Sequence, residues 1–535
     1  MTQPDSFYVT TPIYYVNDAP HIGHAYTTIA CDVLARFKRL EGAEVKFLTG
    51  TDEHGQKVDK AAKAANIDPQ SFTDNVSMHF RNLVNTGDNL LNVTNDDFIR
   101  TTEPRHKEAA QAIWQRMKDN GHIYLDSYAG WYSVRDEAYY AESELIDGKA
   151  PTGADVEWVE EESYFFDLSQ WQDKLLEFYD ANPDFVIPKE RFNEVKSFVR
   201  GGKDYVQGAL KDLSISRTTF NWGVPVPGDE KHVMYVWVDA LTNYLTATGF
   251  PDTDSPSYQQ FWPNTTHIVG KDILRFHAVY WPAFLMAADL PLPQKVVAHG
   301  WWTIEGEKMS KSLGNVVSPQ ELVDNFGLDQ VRYFLMRQVP FGSDGNFSKA
   351  NMVSTINADL ANNIGNLAQR TLSMIYKQCE GSIPTNTPLT AADIKLLELA
   401  RVTSNSTNAR NRINELIQYC AFDQIIKDIV AIGSAANEYI DEQAPWALKK
   451  TNTDRMNVVL YTLAEVVRCI AIMLQPFTPE ASKKLLDQLA IPDDQRLFEH
   501  LTEHYALTPG TPIEKPQGVF PRMDEALAGD IKNAS

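Results

Sequence analysis

Two pairs of residues in this chain are suited to chemistry on an anion. They are His21 and His24, three positions apart around Ile22-Gly23, and Lys308 and Lys311 around Met309-Ser310. The histidines end the stretch Pro12 to His24, whose apolar, aromatic start reads as a strand and whose Asn17-Asp18 and Pro20 read as a turn. A helical pattern follows, with Ile29, Val33, Phe37 and Leu40 on one face and Gly42 as its stop. The imidazoles therefore belong where a strand hands over to a helix N-terminus. There, backbone N–H groups and the helix dipole favour a phosphate. Two imidazoles could donate hydrogen bonds to phosphate oxygens, and Gly23 would let a flat base approach the backbone. The lysines lie within Gly306 to Asn315, a polar, cationic stretch between glycines that suits a loop closing on a polyphosphate. Each stretch alone also fits a plain packing loop or an exposed basic loop.

Further candidates sit on elements that would flank such a site. Glu44 to Gly50 reads as a second buried strand, and Asp52 follows it. With the intervening helix this suggests a right-handed parallel unit, whose ligands bind beyond the strand ends. Asp52 could take an ammonium group or serve as a turn or cap aspartate. Trp237, Ala240, Leu241 and Tyr244 fall on one helical face, and Ile273, Phe276 and His277 on another. A core stripe has the same spacing. Between these faces His267-Ile268-Val269 reads as a strand running into Gly270-Lys271-Asp272, and Lys295 to Ala298 reads as another strand.

The chain of 535 residues is too long for one core. A net charge of −22 argues against a generally basic nucleic-acid coat but not against a local basic path. Four scattered cysteines support neither a disulfide framework nor a thiolate metal site. The polar N-terminus does not read as a signal peptide, and no run of about 18 uncharged apolar residues suggests a membrane span. A reducing aqueous compartment is the expectation. From about residue 121 to 225 short aromatic strands and an acidic run, Glu157 to Glu162, suggest an inserted α+β domain. Lys189, Arg191, Lys196, Arg200, Lys203, Lys211 and Arg217 within it could meet a phosphate backbone or form an exposed helix face. From about Ala350 the pattern is all-helical: a bundle with long helices near 391–417, 421–440 and 453–474, then a tail that wraps back.

Taken together, the histidine pair and Lys308-Met309-Ser310-Lys311-Ser312 resemble the two signature motifs of class I aminoacyl-tRNA synthetases. Thr49-Gly50-Thr51-Asp52-Glu53-His54-Gly55, Tyr235 to Ala240 and Gly270-Lys271-Asp272 narrow the resemblance to the methionyl-tRNA synthetases. Asn366 to Arg370 and Ala444-Pro445-Trp446 are similar to that family's anticodon-reading positions. The resemblance covers nearly the whole chain. A leucine, isoleucine or valine synthetase needs a larger editing insertion. A nucleotidylyltransferase or a silent tRNA-binding protein leaves either the bundle residues or the intact motifs unexplained.

The resemblance implies a Rossmann-type parallel sheet split by a connective insertion and followed by an anticodon-binding bundle. The expected boundaries are 1–120 and 226–295 for the catalytic domain, 121–225 for the insertion, 296–349 for the Lys308–Lys311 region and 350–535 for the bundle. It implies ATP with Mg2+, L-methionine, and initiator and elongator tRNA(Met) as partners. Methionine would be activated as its adenylate and passed to the terminal adenosine of the tRNA. His21, His24, Lys308 and Lys311 would act on the triphosphate, with Gly23, Gly270, Lys271 and Asp272 also at ATP. Ile13, Tyr15, Asp52, Trp237, Ala240, Leu241, Tyr244, Ile273, Phe276 and His277 would hold methionine. Asn366, Arg370 and Trp446 would read the anticodon. Many relatives carry Cys-x-x-Cys zinc knuckles in the insertion, but here Ser133 to Asp136 and Ala150 to Gly153 stand in their place. A zinc-free insertion held by packing is expected, in a cytoplasmic monomer.

Overall fold

The structure, a computed structural model, describes residues 6–16, 19–84, 89–135, 138–140, 142–309, 315–401 and 409–529. The chain forms two compact units. The first takes residues 1–20, 45–89 and 93–299, the second residues 21–44, 90–92 and 300–535.

The first unit is built on a sheet ordered Tyr14–Tyr15, Glu44–Asp52, Ser6–Thr10, Thr265–Gly270, Lys295–His299 and Val186–Ile187, with Asp97–Arg100 also paired to Glu44–Asp52. Ser6–Thr10 pairs parallel with Thr265–Gly270, and that strand parallel with Lys295–His299. Every residue of Thr265–Gly270 is buried, as a central parallel strand covered on both faces requires. Tyr15, Asp52 and Gly270 each end a strand at its carboxyl end, the edge where ligands of open α/β sheets bind.

The insertion is an antiparallel sheet ordered Ala138–Tyr140, Ile123–Ser133, Glu157–Phe166 and Leu213–Ser214. Its strands are longer than the aromatic pattern suggested, because Ile123–Ser133 pairs with Glu157–Phe166 from Ile123↔Phe166 to Tyr132↔Glu157. The acidic run lies on that second strand, with Glu157, Glu160 and Glu162 exposed. Three of the basic residues after it have partners within the insertion. Arg191 pairs with Glu194 at 2.6 Å, and Lys196 pairs with Asp180. Arg217 is buried, donating to the Ser216 carbonyl at 2.7 Å and Ser214 Oγ at 2.8 Å. Arg135 Nη2 donates to the Thr152 carbonyl at 2.7 Å and its Oγ1 at 2.8 Å, joining the stretch at 133–136 to the stretch at 150–153. Asp136 lies outside the described residues.

The second unit begins with the histidine helix, Ile22–Leu40. Ile22, Tyr26, Ile29, Val33 and Phe37 are buried at helical spacing, Lys38 and Arg39 complement the dipole in the last turn, and Gly42 with φ 88° follows the C-cap. Phe37 packs its ring 5.5 Å from both Phe477 and Phe498. The bundle contains Asn366–Gln378, Phe422–Gln443, Pro445–Thr451, Thr453–Leu474 and Pro479–Gln488. The pattern near 391–417 divides into Ala391–Ala400 and Ala409–Gln418, with residues 402–408 outside the described ones. Ten residues before Asn366, Ile356–Gly365, form a π-helix. Thr453–Leu474 is long and apolar enough to cross a membrane by composition, yet 94% of its most apolar window is buried inside this unit. Its polar positions Glu465 and Arg468 pair with each other at 2.7 Å, and Arg401 joins them at 2.9 Å. The tail does return. Gln517 N–H donates to Gln488 Oε1 at 2.8 Å, and the Asn357 side chain takes the Met523 N–H at 2.7 Å and donates to its carbonyl at 3.1 Å.

One buried cation holds several of these parts together. Arg332, on the helix Leu328–Arg337, donates Nη2–H to Asp32 Oδ2 of the histidine helix at 2.6 Å and to the Pro476 carbonyl at 2.8 Å. Its Nη1–H reaches the Leu91 carbonyl at 2.8 Å. Both members of the pair are fully buried, and Asp32 also accepts from Arg36 at 2.7 Å. Removing one partner of a buried pair costs about 3–5 kcal/mol, because the other charge is left without compensation. Asp32→Leu strands Arg332 and is expected to lower the unfolding free energy by that scale, read as a fall in the urea midpoint. Arg332→Met leaves Asp32 with Arg36 and is expected to lower it less. Equal midpoints for the two variants would contradict this account.

Candidate active site

His21 is the N-cap of the histidine helix, with an extended backbone (φ −128°, ψ 176°). Its Nδ1 accepts the Gly23 N–H at 3.0 Å, and His24 Nδ1 accepts the His21 N–H at 3.1 Å. The pair is thus a reciprocal capping box built from imidazoles. With both Nδ1 atoms accepting backbone protons, each neutral ring carries its own proton on Nε2. The motif presents two N–H donors at a helix N-terminus, with ring centroids 4.0 Å apart. Burial pushes the His24 imidazole well below its ordinary value, and the neighbouring His21 adds to this, so that ring is neutral near pH 7. Glycine at position 23 has a local reason as well. A Cβ there would meet His21 Cε1 at 2.9 Å and disturb the cap.

Lys308 does not sit in a loop. It lies on the strand Glu307–Lys308, paired antiparallel with Trp302–Ile304 through a two-residue turn. Glu305 and Gly306 both have positive φ, 50° and 86°, as a type I′ hairpin requires. That hairpin fixes the backbone from which the motif departs. Lys311 lies outside the described residues.

The expected methionine residues come together in the first unit. Tyr15 stands opposite Asp52 in the parallel pair of their strands. Asp52 is buried, at 7% exposure. Trp237, Ala240, Leu241 and Tyr244 fall on two short helices, Val236–Leu241 and Asn243–Thr246, rather than one. Ile273 ends a 3-10 turn that follows Gly270, and Phe276–Tyr280 is a π-helix. Trp237 and Phe276 stack at 3.7 Å with 7° between their planes. Ile13, Tyr15, Trp237 and Ile273 are partly buried and pack against the unit's core. His277 is buried, with Nδ1–H donating to the Ile273 carbonyl at 3.0 Å and Nε2 accepting the Tyr244 hydroxyl at 2.7 Å. Burial pushes its imidazole down to about 4, against smaller upward pulls from that carbonyl and Asp272. The lining is therefore aromatic and, at His277, uncharged, which suits a polarizable thioether. Lys271 and Asp272 follow Gly270 in the 3-10 turn, and a Cβ on Gly270 would meet Asp272 Oδ1 at 2.6 Å.

In the second unit Asn366 and Arg370 are one turn apart on the helix Asn366–Gln378. The Arg370 guanidinium lies 5.3 Å from the Trp446 ring centroid and pairs with Asp441 at 2.9 Å. Trp446 is 46% exposed, at the start of the helix Pro445–Thr451. Cation and ring already form one surface. Sequence reasoning singled out Asp52 but passed over His54 in the turn after it, and over His54's partner Asp239 and His106. The only signal was that His54 and Asp239 lie inside motifs already quoted.

Comparisons with known proteins agree with this layout. The family described as tRNA synthetases class I (M) matches residues 7–157 and 143–372, which sets the class. The anticodon binding domain of methionyl tRNA ligase matches residues 398–533. The methionine–tRNA ligase of Rickettsia felis is 58% identical over 528 residues, spanning 98% of this chain and 99% of its own. That of Rhizobium meliloti is 56% identical over 527 residues, with 98% and 99% covered. The Mycobacterium tuberculosis methionyl-tRNA synthetase in complex with methionyl-adenylate superposes with a TM-score of 0.91 at 49% identity, covering 97% of this chain and 100% of that one. Its free-state structure gives 0.83 at 46% identity, covering 97% and 98%. The chain belongs to the methionine–tRNA ligases. It is an ATP-dependent ligase that joins methionine to tRNA.

The neutral His277 has a consequence for acid stability. An exposed imidazole titrates near 6.5, so between about pH 6.5 and 4 the unfolded chain binds a proton that the native chain refuses. The stabilisation is complete above that window and is lost as pH falls through it. The difference in melting temperature between the native sequence and His277→Gln is expected to narrow from pH 7 to pH 4. A constant difference would show that His277 takes up its proton as readily in the native chain as in the unfolded one, and would contradict the lowered value.

Proposed function

We propose that the chain activates L-methionine as methionyl-adenylate and releases pyrophosphate, with its motifs dividing the work as follows. The carboxylate of methionine attacks the α-phosphate of Mg-ATP, so catalysis consists of positioning and charge stabilisation. His21 and His24 direct their Nε2–H groups at the triphosphate, Lys308 and Lys311 neutralise its outer phosphates, and Gly23, Gly270, Lys271 and Asp272 accompany the nucleotide. Asp52 takes the ammonium group of methionine. Ile13, Tyr15, Trp237, Ala240, Leu241, Tyr244, Ile273, Phe276 and His277 enclose its side chain. The observation that carries the reading is the uncharged, aromatic lining around the Tyr244–His277 hydrogen bond, in the unit whose strand ends bear Tyr15 and Asp52.

The methionyl group then passes to the 3′-terminal adenosine of tRNA(Met), initiator and elongator alike. Asn366, Arg370 and Trp446 read the anticodon. The support is the exposed Trp446 ring with a guanidinium beside it, a surface on which an unpaired base stacks. We place the catalytic domain at 1–120 and 226–295, the insertion at 121–225, the motif region at 296–349 and the anticodon domain at 350–535. The protein works as a cytoplasmic monomer, and Arg135 with Thr152 takes over the fastening that zinc provides elsewhere.

Methionine-dependent ATP–pyrophosphate exchange is the direct test, and better exchange with leucine or isoleucine would overturn the reading. Base–aromatic stacking is worth about 1–3 kcal/mol, so Trp446→Ala is expected to weaken tRNA charging about 5- to 150-fold while exchange stays within about twofold. A collapse of both would make Trp446 a structural residue. Elemental analysis of the purified protein is expected to find no stoichiometric zinc.

A further inference from the structure

The turn that follows Asp52 is fixed from two sides. Glu53 is fully buried and turns towards Arg100, accepting from Nε at 2.6 Å and Nη2 at 2.9 Å, and also from Thr51 and Thr102. His54 turns towards Asp239, whose Oδ2 lies 2.6 Å from His54 Nδ1. The other oxygen of Asp239, Oδ1, lies 2.7 Å from His106 Nε2. His106 Nδ1 faces Thr246 Oγ1 at 3.3 Å, and that hydroxyl donates to the Thr242 carbonyl at 3.0 Å. Trp222 straps the same turn, with Nε1–H donating to the Glu53 carbonyl at 2.5 Å and its own carbonyl accepting the Gly55 N–H at 3.1 Å. His54, His106 and Asp239 are all buried, at 2%, 0% and 0% exposure.

Three distant segments therefore meet on one carboxylate. His54 belongs to the turn bearing Asp52, His106 to the helix Pro104–Asp119, and Asp239 to the helix that also carries Trp237, Ala240 and Leu241. Burial alone would raise the Asp239 carboxyl, but His54 and His106 outweigh it and hold it well below the usual carboxylate range. The carboxylate stays ionised, and each of its oxygens has an imidazole partner.

We propose that His54, Asp239 and His106 form a positioning triad that sets the Asp52 carboxylate against the methionine side-chain pocket, so that the amino end and the thioether end of one substrate are held at a fixed separation. Asp239 is a positioning residue, acting through His54. His106 sets Asp239 by occupying its second oxygen. The proposal rests on the reading of Asp52 as the ammonium partner.

Two methionine analogues separate the ends. L-Methioninol keeps the ammonium group and the side chain. 4-(Methylthio)butanoate keeps the side chain and the carboxylate but has no amine. Their dissociation constants would be measured by calorimetry, which does not require an active variant. Hydrogen bonds to charged groups are worth enough that Asp239→Asn and His106→Phe are expected to weaken methioninol about tenfold. Each is expected to leave the butanoate within about twofold, the scale of uncoupled sites. His106→Gln, which keeps an N–H donor, is expected to restore the methioninol value to within about twofold of the native one. Equal weakening of both analogues, or no selective change in either Asp239→Asn or His106→Phe, would overturn the triad. Asp52→Asn identifies the source of a failure. If it does not selectively weaken methioninol, the ammonium assignment itself is wrong. If it does while the triad variants do not, only the triad fails.

Discussion

A fully buried guanidinium needs protein acceptors in place of water, and in the second unit the two terminal nitrogens of Arg332 find them on distant segments. Arg332 takes a carboxylate from the histidine helix, a carbonyl from the approach to Pro479–Gln488, and the Leu91 carbonyl. Arg36 takes the Asn92 carbonyl at 2.7 Å. This explains why residues 90–92, flanked in sequence by residues of the first unit, belong with the second. The same helix reaches further. Asp329 accepts the Ala481 N–H at 2.6 Å near the start of Pro479–Gln488, and Tyr333 and Arg337 both hold Asp359 of the π-helix that leads into Asn366. One three-turn helix thus meets both the helix of the histidine motif and the π-helix that runs into the Asn366–Arg370 surface.

Around the site, imidazoles serve as oriented dipoles more than as charges. His21 and His24 give their Nδ1 atoms to backbone N–H groups and so have their tautomers chosen for them. His277 is fixed in the opposite tautomer by the Ile273 carbonyl and accepts from Tyr244. His267, buried beside Tyr244 with ring centroids 4.2 Å apart, shares Nδ1 with Thr10 and is also held below its ordinary value by burial. A neutral ring of known orientation adds direction without a competing charge, and His24, His267 and His277 are all held in that form by burial.

Much of this was legible in the sequence because strand ends, caps and glycines carry local signals. The turn after Glu44–Asp52, the helix after His21 and the stop at Gly42 follow from spacing alone. The misreadings share a cause. Arg217 read as surface because its acceptors, Ser214 and Ser216, become partners only once the insertion sheet has paired. The π-helices at 276–280 and 356–365 leave no mark on an apolar period of three to four residues. Lys308 read as loop because its partner strand is only three residues long. Asp239 is separated from His106 by 133 residues and from His54 by 185, so no window of sequence contains the interaction.

The Asn357–Met523 clasp bears on how the protein is made. Asn357 lies in the π-helix leading to Asn366 and Arg370, yet both hydrogen bonds of its side chain go to a residue synthesised 166 positions later. Chains emerge from the ribosome N-terminus first, and segments pack as their partners become available. The first unit has all its strands once His299 has been made, whereas the π-helix of the second unit waits for almost the last part of the chain. A nascent chain stalled before Met523 would carry every strand of the first unit and an unfastened Asn357 helix, so the two units mature in chain order.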